Sequence, residues 1–296
     1  MVMIAENSKV AIVAPSAQIG ELEKIEHGLK YLKSLGFKPV LGKHTLEQYR
    51  YMAGHDSERA ADINEAFTNP EIKAVFCVRA AAGALRILPY LDYEAIGKNK
   101  KPLIGFCDNA ALEIALFKKA DIHSLNGFLP TYDFKDGELD TLVKNSFETL
   151  LKGENITITD GKCRHSGEAE GELICSNLTT LMYLAGTEYF PDLSNKILLL
   201  EDVHERMHRI DMMLQQLKQQ PNFKRLSGII LGQFTNITGD EEDGTLEDCF
   251  ADFLQGVNIP VVQDFDFGHT KSRYVLPLGA KVKLNAAKCE LKIENF

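Results

Sequence analysis

No apolar run in this chain approaches the roughly 20 residues that a helix needs to cross a bilayer, so no membrane role is expected. The N-terminus has no basic segment followed by an apolar core. Met1 to Ile4 leads straight into Ala5-Glu6-Asn7-Ser8, so a secretory signal is not expected either. Positive charge is in deficit: 33 Lys and Arg face 42 Asp and Glu, for a formal net charge of −9. Nucleic-acid binding needs clustered cations that release phosphate counterions, so that class is disfavoured. Lys98, Lys100 and Lys101 read instead as a solvated turn before a strand. The six cysteines, at 77, 107, 163, 175, 249 and 289, lack the paired spacing of a metal site. Scattered mostly in apolar surroundings, they suit reduced thiols in a cytoplasmic protein. Asn155, Asn177 and Asn236 each begin an Asn-x-Thr sequence, which a cytoplasmic chain leaves unmodified. There is no internal repeat, no low-complexity segment and no nucleotide-phosphate fingerprint. No metal or cofactor is expected.

What is present is the composition of an ordinary globular protein, and 296 residues suggest about two domains. Val10 to Val13 reads as a strand stopped by Pro15. A helix over roughly 21–35 follows, with Ile25, Leu29, Leu32 and Leu35 on one face. Strand 37–41, helix 57–67 and the wholly apolar strand 74–78 continue the alternation. The fourth strand, Leu103-Ile104-Gly105-Phe106, runs into Cys107-Asp108 and a helix-period segment from Ala110 to Phe117. Such alternation argues an N-terminal α/β domain with a parallel sheet, here placed at 1–152. Ligands in these sheets sit at the carboxyl ends of the strands, where Ser16, Arg79 to Gly83 and Cys107 all fall. Gly153, Gly161, Gly167 and Gly171 punctuate a polar stretch, read as a linker over 153–172. A smaller, β-rich domain is expected over 173–296. Its clearest helix carries Val203, Met207, Ile210, Leu214 and Leu217 on one stripe. That places Glu201 and Asp202 at the helix start, where acids suit the dipole. The tail, from Leu276 to Ile293, alternates like antiparallel strands.

Cys107, at a strand-to-helix turn, stands among backbone N–H groups that favour a thiolate or an oxyanion. Taken alone it also reads as a small buried packing residue. With Glu201 and His269 it completes the order nucleophile, acid, histidine that acyl transfer needs. Each position has a plainer reading: His269 as a turn residue, Glu201 as a dipole partner. Asp202 and Glu205 are rival acids. Arg79 and Arg86 suit a substrate carboxylate or a structural ion pair. Asn177 suits substrate contact or a helix cap, and Ser16 an anion or a strand end. His204 and His208 lie one turn apart, but no third metal ligand is evident.

The segments Arg79-Ala-Ala-Ala-Gly83-Ala-Leu-Arg86, Gly105-Phe-Cys-Asp108, Leu200-Glu-Asp202, and Gly268-His-Thr270 with Leu276-Pro-Leu-Gly279 fall in a familiar order. In order and spacing they resemble the LD-carboxypeptidases, a serine peptidase family that includes the microcin C self-immunity proteins. The opening Val-Ala-Ile-Val-Ala-Pro-Ser16 matches as well, and the resemblance covers nearly the whole chain. It implies a cytoplasmic, often homodimeric enzyme that removes terminal D-alanine from murein tetrapeptide during cell-wall recycling. Cys107 would take the nucleophile's place, Glu201 the acid's and His269 the base's. The backbone N–H of Asp108, with that of Ala80 or Ala81, would form the oxyanion hole. Two departures fall at the chemistry. Cys107 replaces the family's serine, and Arg79-Ala80-Ala81-Ala82-Gly83 replaces Arg-Gly-Gly-Tyr-Gly. Alanine resists positive φ, which glycine accepts. Three outcomes stay open: a specialised or substituted cysteine amidase, a muropeptide-binding relative without turnover, and an amide-cleaving immunity protein against a peptidyl-nucleotide antibiotic.

Overall fold

The strands expected at the start of the chain assemble side by side in the computed structural model, which describes residues 4–20, 22–134 and 137–294. They are parallel, as β1 (Lys9–Val13), β2 (Lys38–Leu41), β3 (Ile72–Cys77) and β4 (Leu103–Gly105), and a fifth parallel strand that was not expected, β5 (Ser124–Asn126), joins them. Their spatial order is 2-1-3-4-5. Chain direction across the sheet reverses beside β1, so the crevice at the carboxyl ends of β1 and β3 is a ligand-binding switch point. β1 is buried from Val10 to Val13, as a central strand covered on both faces must be. Helix Ala110–Ala120, just after β4, is buried continuously from Ala110 to Leu116. A helix whose first two turns are apolar on every face but for one acid, Glu113, belongs inside a core.

The chain divides into two compact units: Met1–Glu154 with Tyr274–Gly279, and Asn155–Arg273 with Ala280–Phe296. The second holds an eight-stranded mixed sheet, order β6-β14-β13-β8-β9-β10-β11-β7. Its middle strands are parallel: β8 (Glu168–Asn177), β9 (Lys196–Val203), β10 (Gly228–Thr235) and β11 (Val261–Gln263). β13 (Lys281–Asn285) and β14 (Glu290–Ile293) form the expected antiparallel hairpin.

Four expectations need correction. The stretch 153–172 is no linker: β6 (Ile156–Thr159) and β7 (Lys162–His165) are the two edges of this sheet, and β8 begins at Glu168. Edge strands are polar because one rim faces water, and that polarity mimics a linker. The tail does not all belong to one unit, because β12 (Leu276–Leu278) pairs antiparallel with β5 of the first unit. Glu201 and Asp202 do not open a helix; β9 runs on to Val203, and the helix starts at Met207. Lys101 is not a solvated turn residue. Its Nζ donates to Ala66 O (3.0 Å) and Asn69 O (2.8 Å), closing the end of helix Asp56–Thr68, and burial lowers its pKa to about 8.

Candidate active site

In the first unit the carboxyl ends of β1, β3 and β4 bring Ser16, the 79–84 loop and Cys107-Asp108 together. Cys107 is half-buried and has φ +61°. A left-handed residue other than Gly, Asn or Asp is strained, and such strain concentrates at functional sites. Strand β4 ends at Gly105, a 3-10 turn takes Cys107–Asn109, and helix Ala110–Ala120 follows. That strand–turn–helix is how nucleophile elbows present a side chain. The Asp108 N–H stands in the first turn, where backbone donors have no partner within their own helix.

Asp108 is buried, and its Oδ2 accepts from Ser16 Oγ at 2.6 Å and from the Ala84 N–H at 2.9 Å. Burial pushes its carboxyl above the usual range, against the pull of those two donors. Ser16 Oγ in turn accepts from the Ala81 N–H at 3.3 Å. The Arg59 guanidinium, also buried, donates to Pro15 O and, at 3.0 Å, to Gly83 O. It also donates to Met52 Sδ at 3.3 Å and to Asp56, which takes a two-pronged contact from Arg86 at 2.7 and 3.0 Å. Arg86 is thereby the ion-pair residue. Ala80, Ala81 and Ala82 are absent from the positive-φ residues, whereas Gly83 has φ +134°. The loop's one demand for left-handed backbone falls on the glycine it keeps, so alanine is tolerated in the rest. Among the described residues, the Arg79 guanidinium has no hydrogen-bond or ion-pair partner.

In the second unit Glu201 lies on β9, fully buried, with Oε2 2.8 Å from His269 Nδ1. Gly268 has φ +138°, and a Cβ there would come within 3.1 Å of Glu201 Cβ and Oε2. Glycine thus lets the His269 loop close onto the acid. A carboxylate on Nδ1 leaves Nε2 as the working nitrogen of such a ring. Asp202, one residue on, faces other work. It accepts from Thr179 N (2.9 Å), Thr179 Oγ1 (2.8 Å) and Asn177 Nδ2 (3.1 Å). Glu205 accepts from Arg206 N and faces Arg209. Neither rival acid holds His269 as Glu201 does.

Two residues expected to contact substrate have intramolecular partners. Ser16 is buried, with its hydroxyl spent on Asp108. Asn177 caps helix Leu178–Tyr183 through Thr180 N at 3.0 Å and holds Asp202. Both serve their own unit's framework. Arg59 and Asp56 were not found from sequence: an acid in a helix's first turn reads as a dipole partner, and a lone arginine on a polar helix face reads as solvated. Among the described residues, His44, Glu47 and Glu58 have ligand atoms within 4.8 Å of one another. His44 is hydrogen-bonded to Glu47 at 2.8 Å, and Glu58 accepts the His55 N–H at 2.7 Å. No described helix is long and apolar enough to cross a membrane.

A strained thiol at an elbow, and a buried carboxylate on a histidine, are the parts from which acyl-transfer hydrolases are built. Comparison with known proteins gives the particular lineage. Residues 10–127 match the LD-carboxypeptidase N-terminal domain and residues 170–284 the C-terminal domain. A probable murein peptide carboxypeptidase of Bacillus subtilis is 31% identical over 291 residues, 96% of this chain and 91% of that protein. The microcin C7 self-immunity protein MccF of Escherichia coli is 29% identical, over 87% of this chain and 84% of its own. The crystal structure of muramoyltetrapeptide carboxypeptidase from Oxalobacter formigenes superposes with a TM-score of 0.89 at 29% identity, covering 98% of this chain and 99% of that one. The chain belongs to the LD-carboxypeptidase family.

Proposed function

We propose that this protein is a cytoplasmic LD-carboxypeptidase that removes the terminal D-alanine of murein tetrapeptide in cell-wall recycling, with cysteine as its nucleophile. The left-handed backbone of Cys107 at the turn between strand β4 and helix Ala110–Ala120 is the observation that carries the reading, because that is where a nucleophile elbow presents its side chain. The Cys107 thiolate attacks the carbonyl that precedes D-alanine, after His269 takes the thiol proton. Glu201 holds the imidazole's tautomer and stabilises its cation. The oxyanion is met by the N–H of Asp108 and one from the 79–83 loop. Of the two donors considered there, Ala80 suits better, because Ala81 already donates to Ser16. The tetrahedral adduct collapses, the C–N bond breaks, and His269 gives its proton to the departing amine. A thioester remains; water, deprotonated by His269, hydrolyses it and frees the thiol. Arg79, with no side-chain partner among the described residues, is the cation offered to the terminal carboxylate. The family resemblance adds a second copy of the chain, which sedimentation tests directly.

Incubation with a disaccharide tetrapeptide, followed by mass spectrometry, is expected to show free D-alanine. Binding without release at high enzyme would leave a muropeptide-binding protein. The Escherichia coli relative favours a second reading, amide cleavage in a peptidyl-nucleotide antibiotic. Turnover of such a conjugate alone would select it.

A further inference from the structure

The Asp108 carboxylate is costly where it stands. Burying a carboxylate is unfavourable unless hydrogen bonds replace its water, and a small apolar side chain would avoid the cost. Two donors converge on one oxygen, Oδ2, and they come from two different strand ends. Ser16 follows β1, and Ala84 closes the loop after β3. Three further bonds tie the same loop. Ala81 donates to Ser16, Asn109 Nδ2 donates to Arg79 O at 3.3 Å, and Arg59 donates to Gly83 O. The loop is therefore pinned at both ends and in its middle, and three of the four pins lead to the Cys107 turn or to Ser16. Ala80 lies between the first and second pins. A mere cap for the four-residue helix Ala84–Ile87 would need only the Ala84 bond.

We infer that the Asp108 side chain is a positioning residue: through Ser16 and Ala84 it fixes the 79–84 loop, and the oxyanion donor on it, against the nucleophile's turn. The inference rests on the catalytic reading above and adds to it a role distinct from that of the Asp108 N–H. Asparagine can present its carbonyl oxygen to both donors, whereas alanine can present nothing. Loss of the anchor displaces the loop, and a misplacement of about 1 Å costs about a hundredfold in rate.

The test compares Asp108→Ala, Asp108→Asn and Ser16→Ala by two readouts on the full chain. Hydrogen exchange, followed by mass spectrometry on peptides covering 79–86 in the resting protein, reads the anchor without any need for turnover. Exchange is expected to quicken at least tenfold in Asp108→Ala, less in Ser16→Ala, and to return toward the parent in Asp108→Asn. Steady-state kinetics on the tetrapeptide read the consequence. Asp108→Ala is expected to lose about a hundredfold in kcat with KM within about threefold, and Asp108→Asn to recover at least tenfold of that loss. Unchanged exchange in a folded Asp108→Ala protein overturns the anchor. If Asp108→Ala does not fold, Ser16→Ala decides by the same exchange criterion. Faster exchange with unchanged kcat, or equal losses in Asn and Ala variants, overturns the positioning role. Absence of D-alanine release by the parent sinks the catalytic reading and the positioning role together; the anchor still stands or falls on exchange.

Discussion

Replacing Glu113 by glutamine is expected to make the protein markedly more resistant to alkaline pH. Glu113 lies in the first turn of helix Ala110–Ala120, just after the Cys107 turn, and is completely buried. Its Oε2 accepts from Asn126 Nδ2 at 2.7 Å, while Oε1 has no partner among the described residues. Burial raises its pKa from 4.5 to about 8, with the Asn126 bond pulling the other way. The folded protein therefore keeps this proton from about pH 4.5 to about 8, where the unfolded chain has lost it. Stability contributed by the neutral acid must fall as pH rises through that window. At about 1.4 kcal/mol per pH unit, the part lost between about pH 6 and about pH 9 is roughly 3 kcal/mol. Glutamine keeps the acceptor for Asn126 and cannot ionise. A unit of this size converts that difference to roughly 6–12 °C of Tm. Melting curves of both proteins, recorded from about pH 6 to about pH 9, should diverge by that amount as pH rises. Lys101, whose pKa is lowered to about 8, drifts in the opposite sense but equally in both proteins, so it cancels. Curves that stay parallel would refute the reasoning.

Glu201→Gln keeps the shape at His269 but not the charge, and kcat should fall by up to about 10⁴-fold with KM little changed; steady-state rates on tetrapeptide check this. Arg79→Ala should raise KM by roughly tenfold or more for a peptide ending in a free carboxylate, and leave KM for the corresponding C-terminal amide unaltered. Asn177→Ala should cost about 1 kcal/mol of stability, seen as a lower Tm, through loss of the cap and of a partner for Asp202. Its KM should match the parent's, because the side-chain oxygen and amide of Asn177 are engaged by Thr180 and Asp202.

The first unit was legible because its signals are local. Apolar runs such as 103–106 and 74–78 can be little but buried strands, and helix-period segments between them leave a parallel sheet as the natural solution. The second was harder to read where its strands lie at an edge. Ile156–Thr159 and Lys162–His165 carry polar residues and turn glycines, which a linker shares. β12 was assigned to the wrong unit because three residues carry no statement of which sheet they will join. Cys107, Glu201 and His269 were singled out through order and motif, yet neither reports a torsion angle or a distance. The left-handed backbone at Cys107 and the 2.8 Å contact of Glu201 with His269 come from the fold alone. Ser16, Asp108 and Arg59 show the limit most plainly. They are 16, 108 and 59 in the chain, and only the sheet order makes them neighbours of one loop. The concern that Ala80 to Ala82 would distort that loop also needed backbone angles, which show the strain concentrated at Gly83.

The most direct test of the account is acid quenching of the protein within a few turnovers of murein tetrapeptide, followed by peptide mass spectrometry. A thioester of the shortened peptide on Cys107, formed together with free D-alanine and absent from Cys107→Ala, is the predicted result. D-alanine released equally well by Cys107→Ala, or an acyl group carried on any other residue, would contradict it.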